Sequence, residues 1–153
     1  MPSILFVCTG NICRSPMASV LFNSKIGSRA DQQGWDVRSA GTRAVNGAPA
    51  SINAREVMKA WGLDLSLHLS RPVSEDLVRG SDLVLTMERD HKEELQEKFP
   101  GLAGRIYMLS EMIGREQDIA DPIGGPLDAY ELTARELDRT INSGLKKILR
   151  LAG

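Results

Sequence analysis

Cysteine is scarce in this sequence, a surplus of either charge is missing, and no long apolar run opens the chain. The two thiols, Cys8 and Cys13, are too few for a four-cysteine zinc site, and the two histidines, His68 and His91, lie far from them along the chain. Neither a metal nor a cofactor is therefore expected. With 19 basic and 20 acidic residues the net charge is -1, so no nucleic-acid or membrane partner is advertised. The first apolar run, ILFVC at 4–8, is far shorter than a signal-peptide core or a membrane span, and no basic segment precedes it. A cytoplasmic location follows as an expectation. In that compartment thiols stay reduced, which makes Cys8 and Cys13 catalytic, redox-responsive or inert rather than a structural staple.

What is present is the composition of an ordinary globular chain, 42% apolar and 25% charged over 153 residues, enough to bury a core as one domain spanning 1–153. No internal repeat, linker or low-complexity segment divides it. The run 4–8 reads as a buried strand. Ser15 as N-cap and Pro16 at the first helical position then open a helix, with Met17, Val20, Leu21 and Ser24 on one face and an end near Gly34. A second strand is expected over 35–41, a loop over 42–49 and a helix over 51–62 with Ile52, Val57 and Trp61 inward. Strand-type runs recur at 81–87 and 105–109, separated by a charged helix. Near the C-terminus Asp128 and Glu131 resemble a capping box. Tyr130, Ala134, Leu137, Ile141, Leu145 and Ile148 then step along one helical face. Four strands alternating with helices predict an α/β fold: a four-stranded parallel sheet with helices on both faces and a loop after the first strand at the ligand-binding end.

That loop is VCTGNICRSP, 7–16. A strand, a tight turn and a helix N-terminus direct backbone N–H groups and partial positive charge at one point, which makes a cradle for an anion. Gly10 and Asn11 tolerate the left-handed dihedrals such a turn needs, and the planar fork of Arg14 matches two phosphate oxygens. The ATPase and dinucleotide glycine patterns are absent. Cys8 at the strand end faces the cradle, a setting that favours the thiolate. An anion site holding a thiolate suits attack on phosphorus, with the amides and Arg14 on the equatorial oxygens and Ser15 donating to the sulfur. The competing reading is a buried strand-end thiol beside a surface arginine. By residues alone DPIGGP at 121–126 is a plain turn, and Glu88, Arg89 and Lys146–Lys147 are solvated surface.

CTGNICRSP resembles the loop of the low-molecular-weight protein tyrosine phosphatases, Cys-x-Gly-Asn-x-Cys-Arg-Ser-Pro, at every fixed position. The similarity continues through RSAGT (38–42), LSLHLSR (65–71), DLVLTMERDH (82–91) and DPIGG (121–125). It implies a hydrolase with Cys8 as nucleophile, Arg14 as phosphate clamp, Asp121 as general acid and base, and a phosphate-binding loop of Thr9, Gly10, Asn11, Ile12, Cys13, Arg14 and Ser15. It further implies that Asn11, left-handed, braces the loop through Ser15, Ser39 and His68, and that Cys13 is able to form a reversible disulfide with the nucleophile. The implied partner is a phosphorylated protein, with inorganic phosphate or other oxyanions as product-like ligands.

Two branches of the resemblance differ in substrate. Protein-arginine phosphatases of this fold carry threonine where this chain has Ile12, and a branched aliphatic wall suits an aromatic ring better than a polar phosphoguanidinium group, so phosphotyrosine is favoured. Tyrosine-directed members commonly have aromatic residues after Asp-Pro, whereas Ile123 and Gly124 stand here, implying a shallower pocket. A thiol redox sensor and an arsenate reductase are the remaining alternatives; the latter relies on further cysteines, and none follows Cys13.

Overall fold

The computed structural model describes residues 1–27 and 34–153. Strand β1 (Ser3–Cys8) is followed by helix α1 (Arg14–Gly27), strand β2 (Asp36–Gly41), helices α2 (Ile52–Ala60) and α3 (Glu75–Arg79), strand β3 (Leu83–Thr86) and helix α4 (Arg89–Lys98). Strand β4 (Ile106–Met108) and the long helix α5 (Leu127–Ala152) complete the order, with 3₁₀ turns at Pro100–Arg105 and Leu109–Ile113. The four strands form one sheet in the order β2-β1-β3-β4, and every pairing is parallel.

Why β1 lies inside follows from its alternation. Successive side chains of a strand point to opposite faces. Ile4, Phe6 and Cys8 accordingly join a core with Met17, Leu21, Met58, Leu137 and Ile141. Leu5 and Val7 join a second, smaller core with Val78, Val84, Leu95 and Ile106. A strand covered on both faces favours apolar residues at successive positions, so ILFVC is a continuous apolar run rather than an alternating one. Helices α1, α2 and α5 cover the first face and α3 and α4 the second.

Several local expectations shift. Helix α1 begins at Arg14, and the first helical bond runs from Met17 N–H to the Cys13 carbonyl, so Cys13 occupies the capping position that Ser15 was expected to fill. The expected continuation toward Gly34 falls on residues 28–33, outside the described residues. Ser24 is exposed rather than inward, and Ile52, the first residue of α2, is 69% exposed. Helix α5 starts after Pro126 without a side-chain cap, so no capping box forms between Asp128 and Glu131; Glu131 instead pairs with Arg135. The stripe down α5 is as expected, with Tyr130, Ala134, Leu137, Ile141 and Ile148 buried and Leu145 packed at the edge. Among the described residues no helix is long and apolar enough to cross a membrane.

Parallel strands put all four C-terminal ends on one side. The chain segments that leave them are laced together there: Thr42 N–H donates to Cys8 O, Arg43 N–H to Thr9 O, Met87 N–H to Val7 O and Ile119 N–H to Met87 O. The last of these draws the segment before Asp121 over the end of β3.

Candidate active site

The turn after β1 is built around Asn11, the only non-glycine residue with a positive φ (58°) among the described residues. Gly10 does not share that conformation, so the left-handed turn rests on one residue and not two. Asn11 is fully buried and its side chain is held at three points: Nδ2 donates to Ser15 Oγ (2.8 Å) and Ser39 Oγ (2.9 Å), and Oδ1 accepts from Arg71 N–H (3.0 Å). Its carbonyl meets His68 Nε2 at 2.7 Å. Ser15, Ser39 and His68 thus surround Asn11 as the resemblance implied, with Arg71 a further partner that no sequence signal singled out. Burial is the main cause holding the His68 imidazole below its ordinary pKa, so the ring is neutral near pH 7 and Nε2–H is the donor to that carbonyl.

Cys8 is 2% exposed and sits at the focus of the turn. Its Sγ accepts the Asn11 N–H at 3.3 Å and lies 2.9 Å from Ser15 Oγ. Ser15, in the first turn of α1, is freed from capping and presents its hydroxyl to the sulfur. Cys13 points elsewhere: its Sγ is 3.4 Å from Ser51 Oγ and 3.5 Å from Tyr130 Oη, and burial pushes the thiol up. Both cysteines are free. Ile12 is half-buried against the main core, and its carbonyl accepts from Ser51 N–H at 2.9 Å.

Arg14 is only 1% exposed, the largest side chain so completely enclosed among the described residues. An enclosed guanidinium needs acceptors for its N–H groups and a nearby negative charge. Nη1 finds Glu88 Oε2 and Ile119 O, both at 2.6 Å; Nη2 makes longer bonds to Thr9 Oγ1 (3.3 Å) and Asp121 Oδ2 (3.4 Å). Glu88 is therefore not solvated surface: it is the buried arginine's carboxylate partner, because the sheet brings the end of β3 beside the turn after β1. Arg89, by contrast, is exposed and pairs with Glu116, and Lys147 Nζ donates to Glu111 O. His91, in the first turn of α4, reaches Thr9 Oγ1 with Nε2 at 2.9 Å. Spacing gave no hint of Glu88 or His91; their position just past a central strand of a parallel sheet was the available signal.

Asp121 lies on the exposed loop before α5, with Oδ1 accepting Ile123 N–H (3.1 Å) while Oδ2 faces Arg14. The turn 121–126 is tied down by buried Pro122, by the Gly125 N–H bond to Pro122 O and by Asn53 Nδ2 donating to Gly125 O at 3.4 Å. One enclosed thiol, one anchored guanidinium and one solvent-facing carboxylate converge at the same strand ends. Among the described residues no group of three or more His, Cys, Asp or Glu is arranged to hold a metal ion.

Comparison with known proteins agrees with this geometry. Residues 3–151 match the family described as low molecular weight phosphotyrosine protein phosphatase. The chain is 38% identical over 149 residues to a probable low molecular weight protein-tyrosine-phosphatase of Ralstonia nicotianae, covering 97% of each. It is 37% identical over 146 residues to a protein-arginine-phosphatase of Geobacillus stearothermophilus, covering 95% of each. Among solved structures, a low molecular weight protein tyrosine phosphatase from T. tengcongensis superposes with a TM-score of 0.90 at 42% identity, covering 96% of this chain and 99% of that one.

Proposed function

The chain belongs to the low molecular weight phosphotyrosine protein phosphatase family, a family of hydrolases acting on phosphorylated proteins, and from that premise we propose how its residues divide the work and which phosphoryl bond it prefers. Cys8, as its thiolate, attacks phosphorus and forms a cysteinyl-phosphate. The amides of Thr9 to Ser15 and the guanidinium of Arg14 hold the equatorial oxygens, whose charge grows in the transition state. Asp121 protonates the departing oxygen and, in the second step, takes a proton from the water that hydrolyses the intermediate. Ser15 donates to the sulfur as it leaves. The whole cycle belongs to one domain spanning 1–153 and uses no metal or cofactor; inorganic phosphate is the product-like ligand of the loop.

The observation that carries this reading is the convergence on Arg14. Residues 74 and 107 positions away, Glu88 and Asp121, meet a guanidinium on the helix that starts at the cysteine loop. Glu88 and the Ile119 carbonyl fix Nη1 with short bonds, while Nη2, held by two longer ones, is the arm an incoming phosphoryl oxygen can engage. Asp121 is then displaced from the arginine toward the leaving group.

Phosphotyrosine is the proposed substrate. Ile12 offers an apolar wall beside the loop, and the N–H groups of a phosphoguanidinium would lose a partner against it. Curated relatives bearing the protein-arginine-phosphatase name favour the second reading, phosphoarginine on the same machinery. Phosphate release from matched phosphotyrosine and phosphoarginine peptides, with Cys8→Ser as the blank and Arg14→Ala alongside, separates them. We expect kcat/KM to favour phosphotyrosine by about tenfold or more, equivalent to about 1.4 kcal/mol of transition-state discrimination. The opposite preference assigns the chain to the second reading, and turnover surviving in Cys8→Ser overturns the covalent mechanism.

A further inference from the structure

The imidazole of His91 has no role in the chemistry above, yet it is 5% exposed and both of its ring nitrogens are engaged beside Arg14. Nδ1 accepts the backbone N–H of Glu88 at 3.1 Å, closing the first turn of α4 from the third helical position, where a glutamate or glutamine usually does so. A backbone N–H can only donate, so Nδ1 carries no proton in this arrangement. The proton of the neutral ring is then on Nε2, which donates to Thr9 Oγ1 at 2.9 Å. The same hydroxyl oxygen accepts from Arg14 Nη2 at 3.3 Å. Both lone pairs of Thr9 Oγ1 are thereby committed, and its position is set by the histidine.

We propose that His91 is a positioning residue for phosphate capture: through the Thr9 hydroxyl it fixes Nη2 of Arg14, as Glu88 fixes Nη1, and it does so only while its ring is neutral. The inference rests on the reading of Arg14 as the phosphate clamp. Protonation would replace the Nδ1 lone pair by a second N–H aimed at the Glu88 amide, opening the helix cap. It would also place a cation 3.9 Å from Glu88 Oε2, in competition with Arg14 for the carboxylate that anchors it. The charged groups facing the ring are Glu88 at the start of α4, Arg14 on α1, Glu94 on α4 and Asp118 on the segment following the second 3₁₀ turn. Burial outweighs the three carboxylates and keeps the imidazole below its ordinary pKa, with Arg14 acting in the same direction, so the positioning form prevails at neutral pH.

The test compares His91→Gln, whose amide can both accept from the Glu88 N–H and donate to Thr9, with His91→Phe, which can do neither. For His91→Phe we expect inorganic phosphate to bind about tenfold more weakly by calorimetry and KM to rise more than kcat falls. His91→Gln should restore most of both. The wild type should also lose phosphate affinity between pH 7 and 5 more steeply than His91→Gln, the ionisation of phosphate itself being common to the two. Thr9→Val should reproduce the loss of His91→Phe, and the double variant should be no worse than either alone, because both remove one chain of contacts. Wild-type phosphate affinity in His91→Phe, superimposable pH profiles, or additive losses in the double variant would each overturn the proposal; His91→Gln decides alone should His91→Phe not fold. Phosphate affinity is read without turnover, so failure here is distinct from failure of the phosphatase reading, which appears as absent hydrolysis by the wild type.

Discussion

At the scale of single residues the site is a problem of keeping one enclosed cation in one place. Taking a guanidinium out of water costs several kcal/mol unless acceptors surround it. Two short bonds at Nη1 offset that cost and leave Nη2 in looser contact with Thr9 and Asp121. Asp121 Oδ2 thus rests 3.4 Å from Arg14 Nη2, and the role proposed for it requires it to reach a leaving oxygen instead. If it is the acid, Asp121→Ala should slow hydrolysis of phosphotyrosine peptides by roughly 10²–10⁴-fold, the usual contribution of a general acid. A dinitrophenyl phosphate, whose leaving group needs no proton, should lose far less. Equal losses on both substrates would show that Asp121 serves the arginine and not the leaving group. Cys8, Arg14 and Asn11 were legible because one decapeptide holds them all. Glu88 and His91 were not, because in MERDHKEEL their charge looks like that of any solvated helix, and only the pairing of β3 beside β1 turns that end of α4 toward the guanidinium.

At the scale of elements, the ends of β1 and β2 are fitted to each other by a missing side chain. Gly41 closes β2 with an ordinary negative φ, so the glycine is needed for space and not for an unusual dihedral. A Cβ there would stand 2.4 Å from Thr9 O, 2.9 Å from Ala44 Cβ and 3.0 Å from Asn11 N. Two of those neighbours are the backbone of the cysteine loop. Gly41→Ala should therefore displace the loop, lowering kcat/KM by about tenfold or more and stability by about 1–3 kcal/mol, the range for overpacking a close-fitted site. Gly101→Ala, where nothing lies within 4 Å, is the matched control for thermal unfolding and activity. Retention of full activity and stability by Gly41→Ala would mean that the loop yields freely. Sequence alone places the strand over 35–41 with the glycine at its end, while the close approach that demands a glycine is visible only once β2 lies beside the cysteine loop. The caps show the same limit: Ser15 and Asp128 are good capping types, yet Ser15 is drawn inward by Asn11 and Cys8, and α5 begins at Leu127 directly after Pro126. Local signatures report what a residue can do, while packing decides what it does.

Over the whole molecule the alternation of strand and helix made the parallel sheet and its two-faced core legible, since β1 must be apolar on both sides to sit between β2 and β3. What no local pattern could supply is the distribution of buried titratable groups, which depends on which strand ends meet. His68 under the cysteine loop and His91 behind Arg14 both have folded pKa values pushed below the ordinary imidazole value of 6.5, in each case chiefly by burial. The unfolded chain therefore binds more protons than the folded one below about pH 6.5, and stability must rise with pH through that window. Stability from these rings is fully present above 6.5 and is lost as pH falls from there through their folded pKa values. Thermal unfolding between pH 7.5 and 5 should show the midpoint dropping, by roughly 2–4 °C for each kcal/mol lost in a chain of this size. In the paired variant His68→Gln/His91→Gln the drop should be shallower, because glutamine keeps a donor at each site without titrating. Parallel curves for the two proteins over that range would assign the acid sensitivity to carboxylates, whose protonation begins lower, and would leave the two histidines as hydrogen-bonding groups without a part in the pH response.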